Sequence, residues 1–305
     1  MSALIRRIAL LATTALLSAC TTMLLTAANV PAMFAPVRRT ANLPFGSGAR
    51  DRLDVYQPAK ATGQSLPVII FWHGGGWVDG DKSFYRFVGA ALAQLGYVAI
   101  LPNYRVYPEV RFPAFLDDAA RAVLWAQQHA AEYGGNPHRL VLMGHSAGAH
   151  MAAMLAVNHS YLLRAGANPH DIIGLIGLSG PYDLKPNTPV LNTIFSAPYL
   201  PADWQVLPYV GADAPPALLV HGGADTLVFP RNTEDMAAAL RAHGVHAQIR
   251  IYPGKSHADT VAGLSIPARR RTPVLGDVAE FMKQLSEQTA APEAAYGLRH
   301  GAGGG

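Results

Sequence analysis

Short apolar runs recur along this chain at helix-length intervals, and each run is apolar at nearly every position rather than at alternate ones. They fall at 67–72, 97–101, 139–143, 172–178 and 217–220. A strand with one face in water alternates, whereas one that is apolar throughout is covered on both faces. The segments around 83–95, 114–132, 147–157 and 231–243 have helical character, and in the second of them Val123, Leu124 and Ala126 follow Asp117-Asp118 at helical spacing. Strand and helix in alternation predict a mostly parallel sheet with helices on both faces, an α/β fold.

The composition agrees with one large domain. Of 305 residues, 50% are hydrophobic and 14% charged, too apolar for a disordered chain, and 29 Gly with 23 Pro exclude a coiled coil. The lone Cys20 rules out an intrachain disulfide and a cysteine zinc cage. The net charge of +4 comes with one basic cluster, Arg269-Arg270-Arg271, which reads as a solvated loop and not as a nucleic-acid site. The sequence has no internal repeat.

Gly144-His145-Ser146-Ala147-Gly148 lies directly between the strand at 139–143 and the small-residue helix that begins at Ala147. A nucleophile elbow requires this context: the serine sits on a strained turn whose flanks admit only glycine, so that its hydroxyl stands clear of the sheet. Upstream, Trp72-His73-Gly74-Gly75-Gly76-Trp77 follows another strand. Glycines there let backbone N–H groups approach a carbonyl, and Gly74, Gly75 and Ala147 are the predicted donors of an oxyanion hole. The plainer alternative for the triple glycine is a tight packing turn.

These stretches resemble the α/β-hydrolase superfamily, in its His-Gly-Gly-Gly esterase form, from about Asp51 to Gln288. The run from His73 to Lys82, Asn103-Tyr104-Arg105 and the elbow with Ala149-His150 are similar to the branch of feruloyl and acetylxylan-type esterases and kynurenine formamidases. The resemblance implies the chain order serine, acid, histidine. Asp225, in His221-Gly222-Gly223-Ala224-Asp225, matches the family's acid, with Asp213 and Asp259 as alternatives. His257, in the loop after the strand at 248–252, matches the base; His243 and His246 fit less well and are expected to face solvent. The implied chemistry is acyl transfer through Ser146 with no metal or organic cofactor, acting on a small-molecule ester.

Several residues carry weaker signals. His145 and His150 flank the serine without a metal-binding spacing, so hydrogen bonding around the elbow is expected of them. Trp77, Tyr104, Tyr182 and Phe195 are candidates for a substrate pocket or for core packing. The segment 181–216, rich in Pro and aromatic residues, is expected to cover the site as a small cap.

At the front, Arg6-Arg7, an apolar stretch and small residues give residues 1–19 the layout of a secretory signal. Leu17-Ser18-Ala19-Cys20 is similar to a bacterial lipobox, which implies cleavage before Cys20 and lipid attachment there. An uncleaved anchor and an ordinary secretory signal are the alternatives, and all three favour export. Residues 20–49 read as anchor and linker, 50–288 as the catalytic domain and 289–305 as a loose tail. The expected protein is an exported, membrane-anchored serine carboxylesterase for small or medium acyl esters. An arylformamidase and a noncatalytic surface lipoprotein are the rival functions.

Overall fold

The computed structural model describes residues 26–60, 63 and 65–300, with side chains to residue 287. The signal at 1–19 and Cys20 lie outside the described residues. A short helix, α1, occupies residues 26–32. Eight strands then build one sheet: β1 (Val37–Pro44), β2 (Arg52–Pro58), β3 (Leu66–Trp72), β4 (Val98–Pro102), β5 (Gly135–His145), β6 (Ile172–Leu178), β7 (Ala217–Gly222) and β8 (Ala247–Tyr252). Their spatial order is β1-β2-β4-β3-β5-β6-β7-β8. β1 and β2 run antiparallel and every pairing from β4 to β8 is parallel. This is the α/β-hydrolase fold.

The apolar runs are apolar throughout because both faces of the sheet are covered. Along β3, Val68, Ile70 and Trp72 enter one core while Ile69 and Phe71 enter the other. On the first face lie α3 (Ala114–His129), α4 (Ala147–Val157), α5 (Ser160–Ala165) and α8 (Arg231–Ala242). On the second lie α2 (Arg86–Gln94), α9 (His257–Ala262) and α10 (Val274–His300). Truncating one such strand residue, for example Ile70→Ala, would cost about 2–5 kcal/mol.

Part of the stretch read as linker belongs to the fold. Residues 37–44 form β1, paired with β2 from Val37↔Pro58 to Pro44↔Arg52. β1 carries no apolar period because, at the edge of the sheet, it is exposed at most positions on both faces, Arg38, Arg39 and Thr40 among them. Residues 289–300, within the stretch expected as the tail, continue α10 as a helix. No helix among the described residues is long and apolar enough to cross a membrane.

The fold positions the site through strand direction. In a parallel sheet the loops after the carboxyl ends of neighbouring strands gather at one edge. β3 delivers the His73 loop there, β5 delivers Ser146, β7 delivers Asp225 and β8 delivers His257.

Candidate active site

Ser146 takes φ 55 and ψ −120, a backbone that a residue with a side chain rarely adopts. Its neighbours hold it there. A Cβ on Gly144 would lie 2.2 Å from the Gly148 carbonyl, and a Cβ on Gly148 would lie 2.1 Å from the Trp72 oxygen, so both flanks have to be glycine. The Ser146 N–H donates to the Leu178 carbonyl at 2.9 Å, which ties the turn to β6. All eleven residues of α4 are buried, and the small ones among them let the helix sit close to β5.

Asp225 and His257 come together as expected. His257 Nδ1 lies 2.7 Å from Asp225 Oδ2. A carboxylate can only accept, so Nδ1 carries the proton and Nε2 presents its lone pair. The other carboxylate oxygen accepts the N–H groups of Leu227 at 2.9 Å and Val228 at 3.0 Å. Burial pushes the Asp225 carboxyl up, but hydrogen bonds from His221 and His257, with the Val228 N–H, outweigh it and hold the group well below the usual carboxylate range. Ser146 Oγ makes no hydrogen bond among the described residues; the acid–base half of the constellation is closed while the serine hydroxyl stands free.

The loops bearing acid and base are matched by backbone contact. A Cβ on Gly222 would fall 2.4 Å from the Lys255 carbonyl and 2.5 Å from that of Ser256. The Ala224 N–H donates to the Lys255 carbonyl at 2.9 Å. His257 is the first residue of α9, whose start is fixed by Asp259 Oδ2 accepting from both the N–H and the hydroxyl of Ser256, each at 2.7 Å. Asp259 is therefore a capping residue. Asp213 pairs with His159 at 3.5 Å, away from the triad, and His243 and His246 are exposed.

Sequence reasoning missed His221. It is fully buried, with Nε2 2.8 Å from the Val228 carbonyl and 3.2 Å from Asp225 Oδ2, and with Nδ1 2.8 Å from Thr233 Oγ1. The carbonyl requires the proton on Nε2, so the Thr233 hydroxyl donates to Nδ1. Asp225 Oδ2 thus faces two imidazole N–H groups. The available signal was the position of His221 at the end of β7, four residues before the acid.

The flanking histidines bind main chain and not each other. His145 Nε2 donates to the His257 carbonyl at 3.1 Å, and the two rings lie 4.9 Å apart. His150 Nε2 donates to the Trp204 carbonyl at 2.6 Å. Burial lowers the pKa of His145 to about 3, helped by the charge of His257, and lowers that of His150 to about 4.

The glycine loop is braced from below. His73 Nδ1 donates to the Gly74 carbonyl at 2.7 Å, and its ring stacks on Tyr104 at 4.4 Å. The Tyr104 hydroxyl donates to the His73 carbonyl at 3.0 Å, and Arg50 binds the carbonyls of Tyr104 and Gly80, both at 2.6 Å. Lys82, in the same loop, forms a buried ion pair with Asp54 at 2.7 Å. Gly74 meets the serine: a Cβ there would lie 3.2 Å from Ser146 Cβ and 2.8 Å from His145 Nδ1. Burial pushes the phenol of Tyr85, whose ring stacks against His73, up to about 12. The N–H groups of the three predicted donors, Gly74, Gly75 and Ala147, make no hydrogen bond among the described residues.

Trp77, Tyr104, Tyr182 and Phe195 are all buried. Trp77 and Phe195 contact edge to face at 4.9 Å, and Trp77 meets the His150 ring at 5.2 Å. The segment 181–216 contains two short helices, α6 (Pro189–Ile194) and α7 (Pro201–Trp204), and docks on α4 through Phe195, Trp204 and the His150 hydrogen bond.

The profile of the BD-FAE family matches residues 53–240, and that of the dienelactone hydrolase family matches residues 207–286. Among curated proteins, the chain is 30% identical to the probable isoprenylcysteine alpha-carbonyl methylesterase ICMEL1 of Arabidopsis thaliana, over 88% of this chain and 62% of that one. It is 29% identical to the kynurenine formamidase of Salmo salar, over 73% of this chain and 76% of that one. The chain spans 56–62% of the length of the plant methylesterases it matches. Esterase B of Lactobacillus rhamnosis, solved with a tributyrin phosphonate inhibitor, superposes with a TM-score of 0.80 at 20% identity, covering 96% of this chain and 99% of that one. That likeness is one of fold.

Proposed function

The chain belongs to the BD-FAE family of α/β-hydrolases, and from that premise we propose that it is a serine carboxylesterase acting on small or medium acyl esters through an acyl-enzyme. The observation that carries the proposal is the 2.7 Å contact of His257 Nδ1 with Asp225, which aims a basic Nε2 away from the acid beside a serine held on a strained turn.

In the proposed reaction His257 Nε2 accepts the Ser146 proton as Oγ attacks the acyl carbon, and Asp225 stabilises the imidazolium. The Ser146–His257 hydrogen bond that this step requires forms when substrate fills the site. The oxyanion is received by the N–H groups of Gly74, Gly75 and Ala147; removing one such donor typically costs about 3–4 kcal/mol. His257 then protonates the leaving alcohol, and water, activated by the same base, releases the acid. No step calls for a metal or an organic cofactor.

The similarity to a kynurenine formamidase supports a second reading, hydrolysis of an arylformamide at the same serine. The layout of residues 1–20 supports export and attachment to a membrane, by lipid on Cys20 or by the apolar run itself. A fluorophosphonate probe and a panel of p-nitrophenyl esters of increasing chain length, run beside N-formylkynurenine, test the function. Labelling at Ser146, lost in Ser146→Ala, is expected together with ester turnover. A folded protein that takes no label would leave a binding role for the fold, and turnover of the formamide alone would favour the second reading.

A further inference from the structure

The basic cluster Arg269-Arg270-Arg271 has no part in the chemistry above. It lies in the loop between α9 and α10, and all three residues are exposed. None of the three side chains forms an ion pair or hydrogen bond among the described residues. The loop is also not isolated. Leu264, Ile266 and Arg269 line a small surface cavity together with Ala28, Ala32 and Ala35 of α1 and the turn after it, and with Phe87, Ala90, Ala91 and Gln94 of α2. The arginine loop and the first described helix are therefore neighbours, although more than 230 residues separate them in sequence.

That neighbourhood exposes large apolar side chains. Phe34 is 83% exposed, Met33 67%, Val30 54% and Ile266 45%. Each keeps hydrocarbon in water beside unpaired guanidinium groups. The combination suits a phospholipid surface, where apolar groups enter the headgroup and acyl boundary and cations meet anionic phosphates. A nucleic acid would engage the arginines but give no place to Met33 and Phe34. Cys20, the lipid-attachment position of the membrane-attached reading, stands a few residues before α1, and the alternative anchor is the apolar run that leads into it, so a bilayer held by either would be at hand.

We infer that the face formed by α1, its following turn and the 263–273 loop docks on an anionic lipid bilayer, with Arg269, Arg270 and Arg271 binding phosphate and Val30, Met33, Phe34 and Ile266 entering the interface. The inference deepens the membrane-attached reading and rests on it for bringing the bilayer close. Attachment supplies proximity; this face fixes orientation. Three arginines at an anionic surface correspond to roughly a hundredfold gain in surface partitioning at low salt, diminished as salt screens the charges.

The test uses the full chain with vesicles of phosphatidylcholine alone or mixed with phosphatidylglycerol. Flotation reads attachment, and phenylglyoxal modification mapped by mass spectrometry reads which arginines are covered. Arg231, on the opposite face at the start of α8 and with its side chain 82% exposed, is the control. Several-fold slower modification of Arg269, Arg270 and Arg271 in the mixed vesicles, with Arg231 unchanged and the protection reversed by salt, is expected. An R269Q/R270Q/R271Q variant should keep its hydrolysis of a soluble ester and lose the preference for the mixed vesicles. Equal modification in both vesicle types, or protection by soluble RNA and not by vesicles, would overturn the inference. Flotation on pure phosphatidylcholine without arginine protection would leave the attachment standing and the docking face refuted; protection that requires phosphatidylglycerol in a chain that does not float on phosphatidylcholine would do the reverse.

Discussion

His221 and His257 approach the same oxygen of Asp225, at 3.2 and 2.7 Å, from two different elements. The carboxylate is therefore fixed from both sides, by the proposed base and by a buried imidazole held in turn by Thr233. Asp225→Asn leaves the geometry nearly isosteric but presents an amide where an acceptor is needed. Its kcat on a soluble p-nitrophenyl ester should fall by about 10⁴, with the protein still folded by circular dichroism.

His221→Phe removes one hydrogen bond to a charged acceptor and leaves the Thr233 hydroxyl without its acceptor. A bond of that kind is worth about 1.5–3 kcal/mol, so kcat should drop by roughly ten- to a hundredfold. KM should change little, since His221 is buried away from substrate. Thr233→Val, which loses only the outer bond, should fall between wild type and His221→Phe. A rise in KM with unchanged kcat would show that His221 shapes the pocket and does not position the acid.

Gly148→Ala should destabilise the fold by at least about 1–3 kcal/mol in urea unfolding, because its methyl would enter the Trp72 main chain at 2.1 Å. Gly254→Ala is a useful contrast. Its φ of 68 makes alanine strained, but nothing lies within 4 Å of the added Cβ, so its loss should reflect backbone conformation alone.

Acid should destabilise the protein earlier than its carboxylates alone would. Burial lowers the pKa of His73 and His150 to about 4 and that of His145 to about 3. In the unfolded chain the same residues titrate near 6.5. Below that pH the unfolded state binds protons that the folded state refuses, so stability falls with pH from about 6.5 down to the folded values. Three such groups give a slope of up to about 4 kcal/mol per pH unit. Urea midpoints measured between pH 7 and pH 4.5 should decline throughout, and His150→Leu should flatten the decline by about a third.

The elbow, the glycine loop and the candidate acid and base were legible because each is encoded in a few consecutive residues at a strand end. Ser146 needs Gly144 and Gly148 within its own turn, and His257 follows a recognisable strand and turn. What was not legible depends on residues distant in sequence. β1 is a strand because β2 pairs with it, and its exposed Arg38, Arg39 and Thr40 give no periodic sign. The placement of His221 against Asp225 depends on the turn through Val228.

The groups proposed to react sit on loops after β3, β5, β7 and β8, whereas the segment from 181 to 216 packs its aromatic rings beside α4 and is hydrogen-bonded to the body at His150–Trp204, Phe112–Ile194 and Asn232–Asp183. That segment is thus a different stretch of chain from the one bearing the proposed machinery, yet it shares the same core. Changes within it would alter which acyl group or alcohol is admitted without touching the atoms proposed to break the bond.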